Sequence, residues 1–180
     1  TVIAALGPKM LALAAGPGAF DRFLAGDATA LDADQRAGLV VFVKNGCASC
    51  HAGPMLSNES FHALGVPAWP GDPFDVGREG AYATLAASPF TARGAYWDGP
   101  KEDVPLAPSP GDHGAFRTPP LRNVSSSGPW GHNGRFTTLD DAIAAHGAAL
   151  SDLDRARLIH FLESLDGAYP LPPWNDWPQH

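Results

Sequence analysis

The pentapeptide Cys47-Ala48-Ser49-Cys50-His51 carries the C-x-x-C-H pattern of a covalent haem attachment site. Cysteines at positions i and i+3 project from one turn, so both thiols can add to the vinyl groups of one haem. His51 follows directly and reaches the iron from the proximal side. A structural zinc site needs further ligands, and the chain has no third cysteine. A disulfide between the two cysteines leaves the adjacent histidine unexplained, so the pattern predicts haem c.

Composition limits the remaining possibilities. The chain has 180 residues, which suits one domain with extensions, and its 20 glycines and 18 prolines predict long ordered loops around the haem. A net charge of −7 argues against nucleic acid as a partner. No apolar run reaches the length of a membrane span. Because covalent haem c is assembled outside the cytoplasm, we expect a periplasmic protein whose leader was removed or precedes this sequence.

The first half of the chain predicts a helix that leads into the haem motif. Residues 1–15 form an apolar helical segment, and residues 19–27 form a short, turn-rich link. Asp32 has the features of an N-cap, with Gln35 completing a capping box, and the helix that follows ends at residues 45–46. Gly38 lies in the middle of this helix, where glycine destabilises it. We interpret Gly38 either as tolerated or as a close contact with another helix.

The second half predicts loops and two late helices. Residues 52–120 have little periodicity and predict loops with short helical turns. Thr137 or Thr138 caps a helix that ends at Gly147, and His146 lies on its apolar face. Ser151 caps the last helix, whose apolar face is Leu158, Phe161, Leu162 and Leu165. The predicted fold is an all-α, cytochrome c-like haem domain with long Gly/Pro-rich loops. We divide it into the end of an interdomain or N-terminal helix (1–19), the haem domain (20–167) and a Pro/Trp-rich tail (168–180).

The second axial ligand determines what the haem can do. A distal methionine raises the reduction potential, a histidine lowers it, and an open face admits peroxide. Met55 belongs to the proximal segment, and Met10 precedes the haem helix. Among the histidines, His160 lies off the apolar face of its helix, and His180 is discounted as the terminal residue. The remaining candidates are His62, His113, His132 and His146. A histidine on an apolar helical face, such as His146, is as consistent with a core residue as with a ligand.

Three stretches together resemble a known family. They are residues 46–54 followed by FHALGV at 61–66, GAFRTPPLRNV at 114–124, and GPWGHNGRF at 128–136 followed by TLDDA at 138–142. In this order and spacing they are similar to the C-terminal haem domain of bacterial di-haem cytochrome c peroxidases and the related MauG enzymes. The resemblance covers roughly residues 20–166. It implies an electron-transfer haem whose peroxidatic partner haem lies in a separate N-terminal domain.

The resemblance also implies site residues. The family's distal ligand lies on the helix after the H-x-G block and is methionine in the peroxidases and tyrosine in MauG. That position matches His146 here, which departs from both patterns and favours ligation of the iron by His51 and His146. A calcium ion is usual in the family, and Thr118 and Pro120 match positions whose carbonyls bind it. We expect His62, Arg122 and His132 near the haem, with Arg122 pairing with a propionate.

Only one C-x-x-C-H motif is present. We therefore expect a partner, either a second haem-bearing chain or a missing N-terminal haem domain, together with a redox partner protein. Three hypotheses remain: an electron-transfer half of a di-haem peroxidase or MauG-like oxidoreductase, a stand-alone mono-haem electron carrier, and a peroxidase that acts at this haem. A second haem-bearing chain would support the di-haem hypothesis. A low-spin spectrum without such a partner would support the stand-alone carrier, and a high-spin signal sensitive to peroxide would support a peroxidase that acts at this haem.

Overall fold

A computed structural model of the protein describes residues 16–69, 71, 75–91, 94–100 and 107–168. Within these ranges the architecture is mostly helical, as the sequence predicts, with one small antiparallel sheet. The elements are α1 (Ala19–Leu24), α2 (Ala33–Lys44), α3 (Arg78–Ala87), α4 (Leu139–Ala144) and α5 (Asp152–Glu163), strands β1 (Phe61–Ala63) and β2 (Ala115–Arg117), and 3₁₀ turns at Cys47–Ser49 and Val124–Ser126.

The predicted helix caps are present. Asp32 accepts a hydrogen bond from the Gln35 amide at 2.8 Å, and the Gln35 side chain accepts one from the Asp32 amide at 3.1 Å, which completes the capping box at the start of α2. Thr138 caps α4, and Ser151 caps α5. These bonds satisfy amides that have no partner within the helix. Local side-chain chemistry therefore sets where three of the helices begin.

Helices α2 and α5 cross at Gly38, which decides between the two interpretations of this glycine. A Cβ atom built on Gly38 would lie 1.9 Å from the carbonyl oxygen of Arg157 and 2.8 Å from the Cβ atom of Phe161. Any side chain would therefore collide with the backbone of α5. The hydrogen atom of glycine permits this close approach, and the loss of helix propensity is offset by the packing between the helices.

The core forms around this crossing. Phe161 of α5 is fully buried, and its ring lies 5.3 Å from the rings of both Phe20 and Phe42. The predicted apolar face of α5 is buried as expected, since Leu158, Leu162 and Leu165 are all less than a tenth exposed. Burial of such side chains stabilises a domain by about 1.5–3 kcal/mol each. The core thus fixes the end of α2, from which the haem motif extends.

Three features differ from the predictions. Residues 19–24, predicted as part of a turn-rich link, form the helix α1. Region 52–120, predicted as loops with short helical turns, contains the ten-residue helix α3 and both strands. The strands pair with Phe61 opposite Arg117, His62 opposite Phe116 and Ala63 opposite Ala115. Each strand has only three residues, so no alternation of polar and apolar side chains marks it in the sequence.

Helix α3 is attached to the loop before β2 by a buried carboxylate. Asp112 accepts hydrogen bonds from the Ser109 amide at 2.7 Å and from the Tyr82 hydroxyl at 2.8 Å, and it lies 3.4 Å from the Arg78 guanidinium. The Ser109 amide, the Tyr82 hydroxyl and the charge of Arg78 all lower the pKa of Asp112, although its burial acts in the opposite direction. Asp112 therefore holds β2 beside α3 as an anion.

Several predictions fall on residues that the structure does not describe. The apolar helical segment at 1–15, Met10, the tail from residue 169 onward and His180 lie outside the described ranges. The proposed boundaries of the haem domain remain a prediction. No helix in the described ranges has both the length and the apolar character needed to cross a membrane.

Candidate haem site

A cavity of about 530 Å³ lies between the end of α2, the β1–β2 ladder and the turn after α4. This volume is typical of sites that bind cofactors and drug-sized ligands, which are about 300–1,000 Å³ and mostly apolar. Nearly all of the residues that the sequence singles out line this cavity, although they come from five separate segments. These residues are Cys47, Cys50, His51, His62, Thr118, Pro120, His132 and His146.

The attachment turn is positioned by the end of α2. Gly46 follows the helix with a left-handed backbone (φ 77°), a conformation that glycine adopts readily. The 3₁₀ turn Cys47–Ser49 comes next, and the His51 amide closes it by donating to the Cys47 carbonyl at 2.9 Å. Both thiols are free and half-buried, and burial raises the pKa of Cys47. The two cysteines and His51 are therefore presented together at one wall of the cavity.

His51 is oriented by its own segment. Its Nδ1 atom lies 3.0 Å from the Leu56 carbonyl oxygen, so Nδ1 carries the proton and the Nε2 lone pair stays free for a metal. Burial is the main cause that lowers the pKa of His51, and the imidazole of His146 lowers it further. The carbonyls of Leu56 and Pro119 act in the opposite direction. His51 is therefore a neutral imidazole with a fixed tautomer, the form in which histidine binds metals.

His146 lies in the turn after α4, which corrects the expectation that it lies on a buried helical face. Helix α4 ends at Ala144, the residue is exposed, and Gly147 beside it has a left-handed backbone (φ 72°). The Nδ1 atom of His146 lies 2.8 Å from the Ala142 carbonyl oxygen. The tautomer is thereby fixed as in His51, with Nε2 free. A position in a turn lets the side chain reach the cavity without displacing core residues of the helix.

The two imidazoles stand at the separation expected of a pair of axial ligands. Their ring centroids are 6.4 Å apart, and the ring planes are inclined by 54°. Two imidazoles on opposite sides of one metal, each with a metal–nitrogen distance of about 2.0–2.1 Å, have centroids roughly 6 Å apart. The two residues therefore fit a site in which both imidazoles would bind one iron. Within the described ranges, no cluster of three or more histidine, cysteine or acidic residues offers another metal site.

His62 lies on β1 and is linked to the attachment turn through Asn58. The Asn58 side-chain amide donates to His62 Nε2 at 3.2 Å and to the Ser49 carbonyl at 3.4 Å. The Asn58 backbone amide donates to the Cys50 carbonyl at 2.7 Å. This asparagine thus joins the covalent attachment site to the β ladder.

His132 occupies another part of the cavity wall, where it is held on two sides. Its Nε2 atom lies 2.9 Å from the Asp75 carboxylate, and its ring stacks on Phe116 with centroids 3.4 Å apart. The side chains of His132 and Asp75 are only 15% and 9% exposed, so water screens this contact weakly. His132 therefore fixes the loop at 131–136 against β2.

Arg122 does not line the cavity, and the expectation that it pairs with a haem propionate lacks support. Its Nη1 atom lies 2.6 Å from the Asp21 carboxylate, and its Nε–H donates to the Pro54 carbonyl at 2.9 Å. Both groups that it binds lie outside the cavity wall. The guanidinium therefore joins α1 to the loop after the haem motif, and its charge is already compensated there.

The two residues expected to bind calcium lie at the cavity wall. The Thr118 carbonyl accepts a hydrogen bond from the Ser57 hydroxyl at 2.7 Å, and the Thr118 hydroxyl donates to the Ser60 carbonyl at 3.1 Å. These bonds anchor β2 to the segment after the attachment turn. The calcium assignment for Thr118 and Pro120 remains a prediction.

The other candidates for the distal ligand lie away from the cavity. Met55 is half exposed and is absent from the cavity wall. His113 pairs with Glu79 at the surface, and the His160 side chain is 56% exposed. The preference for a surface position at His160 agrees with the structure. Of the described histidines, His51, His62, His132 and His146 are those that line the cavity.

Sequence reasoning missed Asn58, Phe116 and Asp75. Asn58 carries a local signal, because its side chain accepts a hydrogen bond from the Ser60 amide in a turn typical of asparagine. Phe116 and Asp75 carry no such signal, since each is defined by contact with a residue far away in the chain.

Comparison with known proteins adds an independent line of evidence. No protein-family model matches the chain. Cytochrome-c peroxidase IdrP1 of Denitromonas iodatirespirans is 32% identical over 170 residues, which cover 84% of this chain and 45% of that protein. Methylamine utilization protein MauG of Methylorubrum extorquens is 30% identical, covering 91% of this chain and 43% of that protein. The chain thus spans slightly less than half the length of these curated relatives.

Structural similarity extends to the fold. The diheme peroxidase BthA from Burkholderia thailandensis superposes with a TM-score of 0.60, covering 86% of this chain and 47% of that chain. Its sequence is 21% identical. At this identity the superposition supports the fold alone, and it agrees with the mostly helical, cytochrome c-like domain predicted from the sequence.

Proposed function

We propose that this chain is the electron-transfer haem domain of a di-haem peroxidase-like oxidoreductase. The premise is that the chain is a homologue of the cytochrome c peroxidases and of MauG over most of its length. In this proposal Cys47 and Cys50 bind one haem c covalently, and His51 and His146 bind its iron. The second, peroxidatic haem lies on a partner chain or on sequence outside these 180 residues. We further propose that the protein works in the periplasm with a redox partner protein.

The observation that carries the proposal is the pair of facing imidazoles. His51 and His146 come from segments 95 positions apart, yet both line one cavity with their ring centroids 6.4 Å apart. In each, a backbone carbonyl binds Nδ1 and leaves Nε2 for the metal. The cavity volume and the adjacent free thiols supply the other requirements of a covalent haem site.

The bound haem supplies reversible one-electron chemistry at its iron. Two thioether links to Cys47 and Cys50 would retain it irrespective of oxidation state. Binding of the iron by both His51 and His146 would exclude peroxide from the metal. The wall of the cavity is mostly apolar. These properties favour electron transfer over chemistry on a bound substrate.

The length of the relatives supports a second haem elsewhere. The chain covers 45% of the cytochrome-c peroxidase IdrP1 and 47% of the diheme peroxidase BthA. A domain that accounts for one half of such proteins, and carries one attachment motif, is suited to relay electrons to a haem in the other half. A calcium ion between the halves, with Thr118 and Pro120 contributing carbonyls, belongs to the same proposal.

Electron paramagnetic resonance of the oxidised protein tests the ligation. We expect a low-spin signal from two histidine ligands, which His146→Ala converts to a high-spin signal. His160→Ala is the matched control, because His160 is exposed and lies outside the cavity; its spectrum should equal that of the wild type. A high-spin wild-type protein whose signal responds to peroxide would refute the proposal and favour a peroxidase acting at this haem.

Mass measurement of co-purifying proteins tests the relay. We expect a second haem-bearing chain, or a longer form of this protein that carries a second attachment motif. A low-spin protein that transfers electrons as a single-haem species, with neither of these, would instead favour a stand-alone electron carrier.

A further inference from the structure

The orientation of the Asn58 side-chain amide is fixed by two independent contacts. Its oxygen accepts a hydrogen bond from the Ser60 backbone amide at 3.0 Å, a group that can only donate. Its nitrogen donates to the Ser49 carbonyl at 3.4 Å, a group that can only accept. Rotating the amide by 180° would set two donors against each other at Ser60 and two acceptors at Ser49. The nitrogen therefore faces His62.

The fixed amide determines the tautomer of His62. The Asn58 nitrogen lies 3.2 Å from His62 Nε2, and because that nitrogen donates, Nε2 must accept. In a neutral imidazole the other ring nitrogen then carries the proton. Nδ1–H of His62 is thus a donor, and it has no hydrogen-bond partner among the residues that the structure describes.

His62 presents this donor at the cavity wall. It pairs with Phe116 across the β ladder, and directly opposed residues of a ladder project to the same face. Both side chains line the cavity, and His62 is half-buried. A donor in this setting forms a stronger hydrogen bond than one in open water, provided that a partner is present.

Other polar side chains of the wall already use donors elsewhere. The hydroxyl of Thr118 donates to a backbone carbonyl, and so does that of Ser127. Asn45 donates to the carbonyl of Val41. Arg117 also lines the cavity, but its side chain is 57% exposed and pairs with Glu59 at 2.9 Å. Within the described part of the chain, His62 is therefore a half-buried donor of the wall whose orientation is fixed and whose Nδ1 hydrogen has no partner.

We infer that His62 Nδ1–H donates a hydrogen bond to a propionate carboxylate of the bound haem, and that Asn58 is the positioning residue that selects the donating tautomer. The inference rests on the proposed function, because it requires the haem. The propionates are the hydrogen-bonding groups of haem away from the iron. A charge-assisted hydrogen bond from a neutral imidazole would stabilise one propionate without placing a second charge in the apolar cavity.

Two substitutions at His62 separate the role of the Nδ1–H donor from that of the Nε2 contact with Asn58. His62→Gln places an amide near the Nε2 position, where it can still bind Asn58, but it removes the donor at Nδ1. His62→Asn places an amide near Nδ1 and keeps a donor there. In the haem-loaded protein we expect His62→Gln to shift the propionate bending band in the resonance Raman spectrum and to lower the reduction potential. His62→Asn should remain close to the wild type in both measurements.

Arg117→Gln is the comparison variant, since Arg117 is a charged donor of the same wall. We expect it to leave the propionate band that responds to His62→Gln unchanged. A band that shifts in Arg117→Gln and not in His62→Gln would assign the carboxylate to Arg117 and overturn the inference. Nitrogen-15 spectra of the reduced, low-spin wild type report the tautomer of His62 directly, and a proton on Nε2 would also overturn it.

Covalent haem content is measured first in every variant. A wild type without covalent haem, or without a low-spin signal, contradicts the proposed function itself. A wild type with both, combined with an unchanged propionate band in His62→Gln, contradicts only the role of His62. The wild-type tautomer needs no substitution, so it tests the inference even where a variant folds poorly.

Discussion

Replacing Gly38 with alanine should destabilise the protein, although alanine is the better helix former. The new Cβ atom would lie 1.9 Å from the carbonyl oxygen of Arg157 and 2.6 Å from its carbonyl carbon. Ordinary contact begins at 3.4 Å, so the backbone of α5 must retreat by about 1.5 Å. These are backbone atoms, which cannot rotate aside. The movement would also pull Phe161 away from the rings that it contacts.

The expected magnitude follows from two opposing effects. Overpacking of a tight core costs about 1–3 kcal/mol and sometimes more. The higher helix propensity of alanine returns about 1 kcal/mol. Because the collision involves a backbone at the centre of the core, we expect overpacking at or above the top of its range. The free energy of unfolding should therefore fall by roughly 2–3 kcal/mol, a large part of the 5–15 kcal/mol typical of a domain.

Urea unfolding of the haem-loaded protein, followed by far-ultraviolet circular dichroism, measures this change. Gly80→Ala is the matched control, because Gly80 is an exposed residue of α3 whose new Cβ would meet only a methyl group of Val76, at 3.0 Å. We expect Gly80→Ala to be neutral or to stabilise by up to about 1 kcal/mol. If Gly38→Ala were as stable as Gly80→Ala, helices α2 and α5 could not cross as closely as described.

The remaining predictions concern the site and the loops around it. Arg122→Met should lower the free energy of unfolding by about 1 kcal/mol, because the partly buried ion pair with Asp21 is lost. The reduction potential should stay unchanged, and a clear shift of the potential would restore Arg122 as a haem contact. Met55→Leu should leave the absorption and paramagnetic resonance spectra as they are, since Met55 is half exposed and outside the cavity; a lost or altered axial ligand signal would contradict this. The hydrogen bond from the Ser109 amide is the main cause that lowers the pKa of Asp112 below 3.8 in the folded protein. The stability that Asp112 contributes is therefore complete above pH 3.8, and it is lost as the pH falls through the lower pKa of the folded state. Acid unfolding should therefore depend less on pH in Asp112→Asn, and identical profiles for variant and wild type would refute the assignment.

The parts of the fold that could be predicted are those with local causes. The cap at Asp32 depends on contacts within one helical turn, and so do the caps at Thr138 and Ser151. The attachment motif is likewise local. The β ladder could not be predicted, because Phe61 pairs with Arg117, 56 positions away, and three-residue strands show no periodicity.

The candidate site divides in the same way. The candidate ligands of iron and haem could be chosen because the chain has few histidines and cysteines, and the candidates chosen from motifs line the cavity. The contact of Arg122 with Asp21 was not predicted, because Asp21 is 101 positions away and carries no sequence signal of the pairing. His146 was placed on a buried face because the helical pattern continues up to Gly147, whereas the helix ends at Ala144.

The two imidazoles are held with unequal stiffness. The segment around His51 is bonded to His62 of β1, to Thr118 directly after β2 and to the end of α2. His146, by contrast, follows a six-residue helix without a fully buried side chain. Local opening of α4 should therefore require less free energy than opening of the attachment turn. Amide hydrogen exchange would be faster at residues 139–147 than at 47–58. A small external ligand such as cyanide would then enter at a rate set by that opening, on the side of His146.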